Sequence, residues 1–180
     1  MTLTDTIAAC KAELLAQAPR IVETQAQTAL ALVTLRIQSQ GLGVPYSTKD
    51  APLFWFKDRE LNGQGKAWYE QKEKRTKPER KTDPATWEGF KKVQGYGSSS
   101  VNLTYTGRMF RSLTTIFAGF SGLIYTARIV ASDEEEAKKV QYNMARYGDF
   151  LQPQGAEVAQ VAEVGQVALV RIINQYFPQA

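Results

Sequence analysis

The residue types that most often perform chemistry are scarce in this chain. Its 180 residues include no histidine and one cysteine, Cys10. The commonest general base and metal ligand is therefore missing, and so is any thiolate cluster. Cys10 falls on the apolar stripe of a helix-like segment, where cysteine usually behaves as a small buried hydrophobe. The sequence predicts no catalytic, cofactor-binding or metal-binding residue, and a protein that is not an enzyme.

An acidic run, 133–136, is the one group of oxygen ligands that invites a cation-binding hypothesis. Acidic side chains also stabilise the positive end of a helix, and a helix-forming sequence follows directly. Ser132 and Glu135 have the spacing of a capping box. We interpret the run as the solvated start of a helix that ends at Gly148, the type of residue favoured just beyond a helix C-terminus.

The formal net charge of +4 resides in one segment, 66–92. Nine basic residues there (66, 72, 74, 75, 77, 80, 81, 91 and 92) outnumber five acidic ones (70, 73, 79, 83 and 88). The aromatic residues of the same segment are Trp68, Tyr69, Trp87 and Phe90. Such a mixture suits a nucleic-acid stacking surface, so a small nucleic-acid-binding module is the alternative function. The mixed signs favour a solvated loop.

A β-hairpin is predicted in the middle of the chain, at about 113–131, with its turn at Ser121-Gly122. Strict alternation places Leu113, Thr115 and Phe117 on one face. A short helical turn precedes the hairpin, with Thr104 or Thr106 as its N-cap. Helical spacing turns three residues of this turn inward (Met109, Phe110, Leu113) and two arginines outward (Arg108, Arg111).

Helices are predicted at both ends of the chain to cover this sheet. The first runs from Thr4, its cap, to about 38, with a kink or a break at Ala18-Pro19, where Pro19 opens the second helix of a pair. The last covers 154–177, and its glycines suggest close approach by another element. The predicted fold class is α+β, a single domain over 1–180.

The segment 41–100 is predicted to be a long irregular arm. It is expected to hold short helices near 67–75 and 86–92, the second capped by Asp83 with Pro84 at its first position. Phe54, Trp55 and Phe56 are three consecutive aromatics that serve both faces of any strand, so one face should reach a partner chain. The chain has no apolar run long enough to cross a bilayer and no signal-peptide pattern, so we expect a reducing cytoplasm.

Two short motifs resemble a known family. They are Thr-Gly-Arg-Met-x-Arg-Ser-Leu at 106–113 and Tyr-Gly-x-Phe-Leu-x-Pro at 147–153, with a hairpin between them and a C-terminal helix after them. A Ser-Thr-Lys element at 47–49 also fits. In this order they resemble the neck and tail-completion proteins of tailed phages, including the Z-type minor tail proteins and virion-morphogenesis proteins.

The resemblance implies a structural virion protein without catalysis or cofactors. Such a subunit forms a ring of six or twelve copies around the DNA channel and joins the portal-connector to the tail. Its implied partners are copies of itself, neighbouring neck, portal or adaptor and tail-tube proteins, and packaged DNA in the lumen, with no membrane. It is assembled in the host cytoplasm and resides in the virion. The candidate subunit-interface residues are Phe54, Trp55, Phe56, Trp68, Arg108, Arg111 and Phe150.

Overall fold

The computed structural model of the chain describes residues 2–49, 51, 53–56, 61–75, 85–95, 100–103, 107–122 and 124–178, without the side chains of residues 54, 55, 74 and 75. These residues form six α-helices, a 3-10 turn and a two-stranded antiparallel sheet, which is the predicted α+β class. The chain divides into two compact units, residues 37–105 and the remainder on either side of them.

Helix α1 spans Leu3–Gln40 and is capped two residues earlier than predicted. The Thr2 hydroxyl accepts a hydrogen bond from the Asp5 amide at 3.2 Å, and the Asp5 carboxylate accepts one from the Thr2 amide at 2.9 Å. This reciprocal pair satisfies two amides that have no partner within the helix. The cap is therefore Thr2 and not Thr4.

The predicted hairpin is confirmed: β1 is Leu113–Ser121 and β2 is Ile124–Ala131. The short helix before it, α4, spans Arg108–Ser112. Gly107, at φ +71°, occupies its N-cap position, while Thr104 and Thr106 lie outside the described residues. The inward and outward residues are as predicted, because Met109, Phe110 and Leu113 are buried and both arginines are exposed.

The alternation predicted for Leu113, Thr115 and Phe117 holds as far as Phe117, where a β-bulge interrupts it. Phe117 pairs with Ala127 and Phe120 with Tyr125, and Ala118 is the additional residue between them. Because Tyr125 and Ala127 lie on one face of β2, Phe117 and Phe120 lie together on that face. Without the bulge, an odd spacing of three residues would place them on opposite faces.

Helix α5 spans Glu134–Tyr147 and ends at Gly148, as predicted. Its cap is Asp133, whose carboxylate accepts a hydrogen bond from the Glu136 amide at 2.8 Å. The predicted cap, Ser132, instead donates its amide to the Ser112 carbonyl at 2.7 Å, which ties the end of β2 to the end of α4.

Helix α6, Ala156–Tyr176, packs antiparallel against α1. Arg36 pairs with Glu157 at 2.8 Å, and the Gln25 side chain donates to the Val161 carbonyl at 3.0 Å. Gly165 is buried, and a Cβ there would lie 2.7 Å from Cδ of Gln25. The close approach predicted from the glycines is therefore confirmed at Gly165 and wrong at Gly155, where an added Cβ would meet no atom within 4 Å.

Helix α1 is continuous through Pro19, so the predicted division into two helices is wrong. An internal proline costs about 3 kcal/mol because it removes a ladder hydrogen bond and crowds the preceding turn. Residues on both sides of Pro19, Gln17 and Ile21 among them, line a groove with residues of α6. Packing along the neighbouring helix on both sides offsets the cost of the proline.

The unit of residues 37–105 has more regular structure than an irregular arm. It contains a 3-10 turn at Leu53–Phe56 and helices α2, Gly63–Arg75, and α3, Trp87–Val93. The cap of α3 is Thr86, whose hydroxyl accepts from the Gly89 amide at 3.0 Å; Asp83 and Pro84 lie outside the described residues. The prediction of one domain with this segment as an insertion stays a prediction.

Candidate subunit interface

Phe56, a predicted interface residue, lies in the core of its own unit with 0% of its surface exposed. Its ring lies 4.9 Å from that of Phe90, 5.1 Å from that of Trp87 and 5.9 Å from that of Trp68, measured between centroids. Edge-to-face and tilted contacts of this kind add to the stabilisation from burial. The assignment of Phe56 to a subunit interface is therefore wrong.

The other aromatic candidates of this segment differ in how far the structure describes them. Trp68 is partly buried and packs against the same aromatic cluster. The side chains of Phe54 and Trp55 lie outside the described part of the chain, so their assignment stays a prediction.

Phe150 is also buried, at the connection between α5 and α6. Arg36 of α1 approaches the Phe150 carbonyl at 3.4 Å and the Gln152 carbonyl at 3.2 Å, while it pairs with Glu157. The segment is therefore held to α1 by a charged side chain that gathers three oxygen acceptors. Phe150 stabilises this connection and is not available to a neighbouring subunit, which corrects its interface assignment.

Arg108 and Arg111 remain on the surface, one helical turn apart on α4. The Arg108 guanidinium lies 3.9 Å from Glu136 Oε1, which also accepts a hydrogen bond from Lys139 at 2.6 Å. Glu136 is 1% exposed, although the sequence predicted a solvated acidic run, and the described residues offer no hydrogen-bond partner to its Oε2. Two cations on one oxygen offset the cost of burying this carboxylate.

The outer half of the hairpin is exposed, which the sequence did not predict. Burial on β1 ends at Thr115, and the tip exposes Phe120 at 70% and Ile124 at 72%. Within the described residues the sheet has these two strands alone, so both outer edges carry unpaired backbone groups. Residues 113–127 contain no charged side chain, a signal present in the sequence.

The two faces of this outer half differ in composition. On one face, the ring of Tyr125 lies 6.4 Å from Phe117 and 5.7 Å from Phe120 between centroids. The opposite face carries Ile116 and Ile124, both exposed, and Arg128, the cross-strand partner of Ile116. At the tip, Phe120 and Ile124 are left largely uncovered by the described residues.

A groove of about 600 Å³ runs beside Tyr125 between α1 and α6. None of its lining residues is charged: Leu14, Leu15, Ala18, Ile21, Val22, Gln25, Tyr125, Ala162, Gly165, Gln166 and Leu169. The aromatic face of the hairpin and this groove thus form one uncharged region within the same unit. It is a surface suited to packing against another protein.

The basic segment does not present its aromatic residues as a stacking surface. Phe90 is fully buried, and Trp68 and Trp87 pack around it. Lys91 is buried too, with its ammonium 5.4 Å from the centre of the Tyr46 ring. These groups stabilise the unit of residues 37–105, so the described structure supplies no stacking platform for the nucleic-acid alternative.

The described residues contain no group of three or more histidine, cysteine, aspartate or glutamate side chains placed to hold a metal ion. None of their helices combines the length and the apolar composition needed to cross a membrane.

Comparisons of the chain with protein-family models, with curated proteins and with solved structures find no match.

Proposed function

We propose that the protein is a structural assembly subunit that packs against copies of itself through the outer half of its hairpin. In the specific form implied by the sequence resemblance, it is a ring-forming neck or tail-completion protein of a tailed phage. The observation that carries the proposal is the outer half of the hairpin, whose exposed Phe120 and Ile124 and two open edges extend beyond the buried base at Leu113 and Thr115.

The energetics of a two-stranded ribbon support this function. An isolated hairpin is at best marginally stable in water. Covering a side chain such as Phe120 or Ile124 contributes about 1.5–3 kcal/mol relative to leaving it exposed. The open edges offer rows of backbone donors and acceptors that a second chain can pair with. A neighbouring subunit would supply both kinds of contact.

A closed ring would place such an exposed surface against a neighbouring subunit. In a cyclic assembly each subunit presents two different surfaces to its two neighbours. The outer half of the hairpin, together with the uncharged groove beside Tyr125, would be one of these surfaces. At the head–tail joint the ring would surround the DNA channel and meet neck, portal or adaptor and tail-tube proteins, which places the subunit in the virion.

The proposal is tested by combining Phe120→Ser with Ile124→Ser, against Tyr142→Ser as a control. Tyr142 is also exposed, at 65%, but belongs to α5 and not to the hairpin. We expect the hairpin pair to abolish higher oligomers in sedimentation experiments and incorporation at fixed low copy into purified particles, and the control to preserve both. Normal incorporation of the hairpin variant would contradict the proposal.

A salt titration of DNA binding separates this function from the nucleic-acid alternative. A nucleic-acid-binding module loses affinity steeply as salt rises, because phosphate contacts release counterions. The proposed ring subunit has little affinity for DNA as an isolated chain. A steep salt dependence at submicromolar affinity would favour the alternative.

A further inference from the structure

The outer face of α6 has a charge pattern that is complementary to itself. Around the exposed Val167 the helix places Glu163 four residues before and Arg171 four residues after, and both charged residues are exposed. Neither makes an ion pair within the described chain. The buried residues Gly165 and Ile172 lie on the opposite side of α6, while one edge of this face, at Val164 and Arg171, borders the groove between α6 and α1.

The pattern continues on either side of these charges. Val164 and Val170 are each three residues from Val167, and Gln160 and Asn174 are each seven residues from it. All seven positions fall within one side of the helix, because steps of three, four and seven residues return to nearly the same direction. When the helix is turned end to end about Val167, each valine takes the place of the other valine and each amide that of the other amide. Glu163 and Arg171 exchange places.

We propose that this face binds a second copy of the same chain, with two α6 helices antiparallel and a two-fold axis at Val167. The axis brings Glu163 of each subunit level with Arg171 of the partner subunit, so the contact contains two such pairs. Such an isologous contact uses one patch on both subunits. A partner of unrelated sequence would not need an acid and a base equidistant from an exposed valine.

The size of the patch indicates a weak contact. Gln160 to Asn174 spans about 21 Å of helix at 1.5 Å per residue. That is short for a stable interface, which buries roughly 800 Å² on each partner. We therefore expect a concentration-dependent dimer. Complementary charges in such a contact select the partner and its orientation more than they raise affinity.

This pairing goes beyond the proposed ring and does not rest on it. Neighbours in a cyclic ring meet through two different surfaces, whereas the α6 face meets its own copy. The two contacts can be separated, because the hairpin substitutions Phe120→Ser and Ile124→Ser leave α6 unchanged. The pairing is therefore measured in that hairpin background as well as in the native chain.

The experiment uses charge reversal and mixing. In Glu163→Arg two pairs of arginines face each other, and in Arg171→Glu two pairs of carboxylates do, so each variant alone should dimerise roughly ten-fold or more weakly. A mixture of the two variants restores both opposite-charge pairs. We expect a heterodimer of native strength in sedimentation or native mass spectrometry, and a restored homodimer for the double reversal.

Matched controls change the net charge equally elsewhere. Glu135→Arg and Lys11→Glu alter exposed residues that make no ion pair in the described chain and lie on α5 and α1. They should leave dimerisation unchanged, and circular dichroism checks that every variant is folded. A native chain that stays monomeric at several hundred micromolar, or a mixture that associates no better than its components, overturns the pairing.

Discussion

Individual aromatic side chains occupy opposite environments in this molecule. Phe56, Phe90 and Phe150 are buried, whereas Phe120 is 70% exposed. All four are equally apolar, so hydrophobicity alone assigns them all to the interior. What distinguishes Phe120 is its position at the tip of a two-stranded hairpin, beyond the residues that other elements cover. An exposed aromatic at such a position indicates a partner more clearly than an aromatic cluster in the sequence does.

Asp5 provides a prediction for the first turn of α1. Hydrogen bonds from the Thr2 amide and then the Thr2 hydroxyl hold the pKa of the Asp5 carboxyl below its usual value. Because this folded-state pKa is lowered, the stabilisation is fully present above the unfolded-state pKa and is lost as pH falls through the folded value. A carboxyl-carbon NMR titration should give a midpoint below that of an ordinary aspartate.

Substitutions at two threonines provide the controls for this titration. Thr2→Ala removes the hydroxyl contribution and should raise the Asp5 midpoint towards the ordinary value. Thr4→Ala leaves both hydrogen bonds intact and should not move it. An equal shift in the two variants would contradict the assigned cap.

The helices illustrate how caps and packing decide where an element begins and ends. Gly148 ends α5 where the sequence predicted, because a positive φ of +79° favours glycine. The N-terminal caps of α1, α3 and α5 differ from their predicted residues by one or more positions, since several Ser, Thr and Asp residues precede each helix and any of them can accept an amide hydrogen bond. The choice among them depends on backbone bonds made elsewhere.

Asp133 gives the corresponding prediction for α5. Asp133→Ala removes the acceptor for the Glu136 amide and should lower the free energy of unfolding by about 1 kcal/mol. Ser132→Ala keeps the backbone bond to Ser112 and should change stability little. Urea denaturation of the two variants compares them directly, and a larger loss for Ser132→Ala would reverse the assignment.

At the level of the whole molecule, the chain has two compact units, each with its own buried residues. The smaller one, residues 37–105, is organised around Phe56 and Phe90. Two backbone hydrogen bonds close it, from the Leu42 amide to the Val101 carbonyl at 2.8 Å and from the Val101 amide to the Val44 carbonyl at 2.7 Å. A segment that reads as irregular in sequence thus has a defined interior.

Phe56→Ala tests the independence of that interior. Truncation of a fully buried phenylalanine costs about 3–5 kcal/mol. We expect faster amide hydrogen exchange in α2 and α3, with exchange in α6 nearly unchanged. Val44→Ala, at an exposed position of the same unit, serves as the control. Equally accelerated exchange in α6 would show that the two units unfold together.

The sequence was sufficient for the parts of the fold with strong local signals. The hairpin, its turn, the inward residues of α4, the end of α5 and the close approach at Gly165 follow from periodicity and from glycine positions. The continuity of α1 through Pro19 and the burial of Glu136 did not follow, because both depend on neighbours distant in sequence. For the candidate interface, the sequence correctly placed Arg108 and Arg111 on the surface, and it misplaced Phe56 and Phe150.

Because of the bulge, the effect of deleting one residue from β1 depends on where the deletion is made. Ala118 is surplus to the ladder, since Phe117 and Phe120 keep their cross-strand partners only if one residue between them is left out of the pairing. A shortened chain lacking Ala118 would therefore retain the same aromatic face with a regular ladder. Removal of one residue nearer the base, such as Thr114, would change which face of the sheet Leu113 occupies relative to the side chains that follow it.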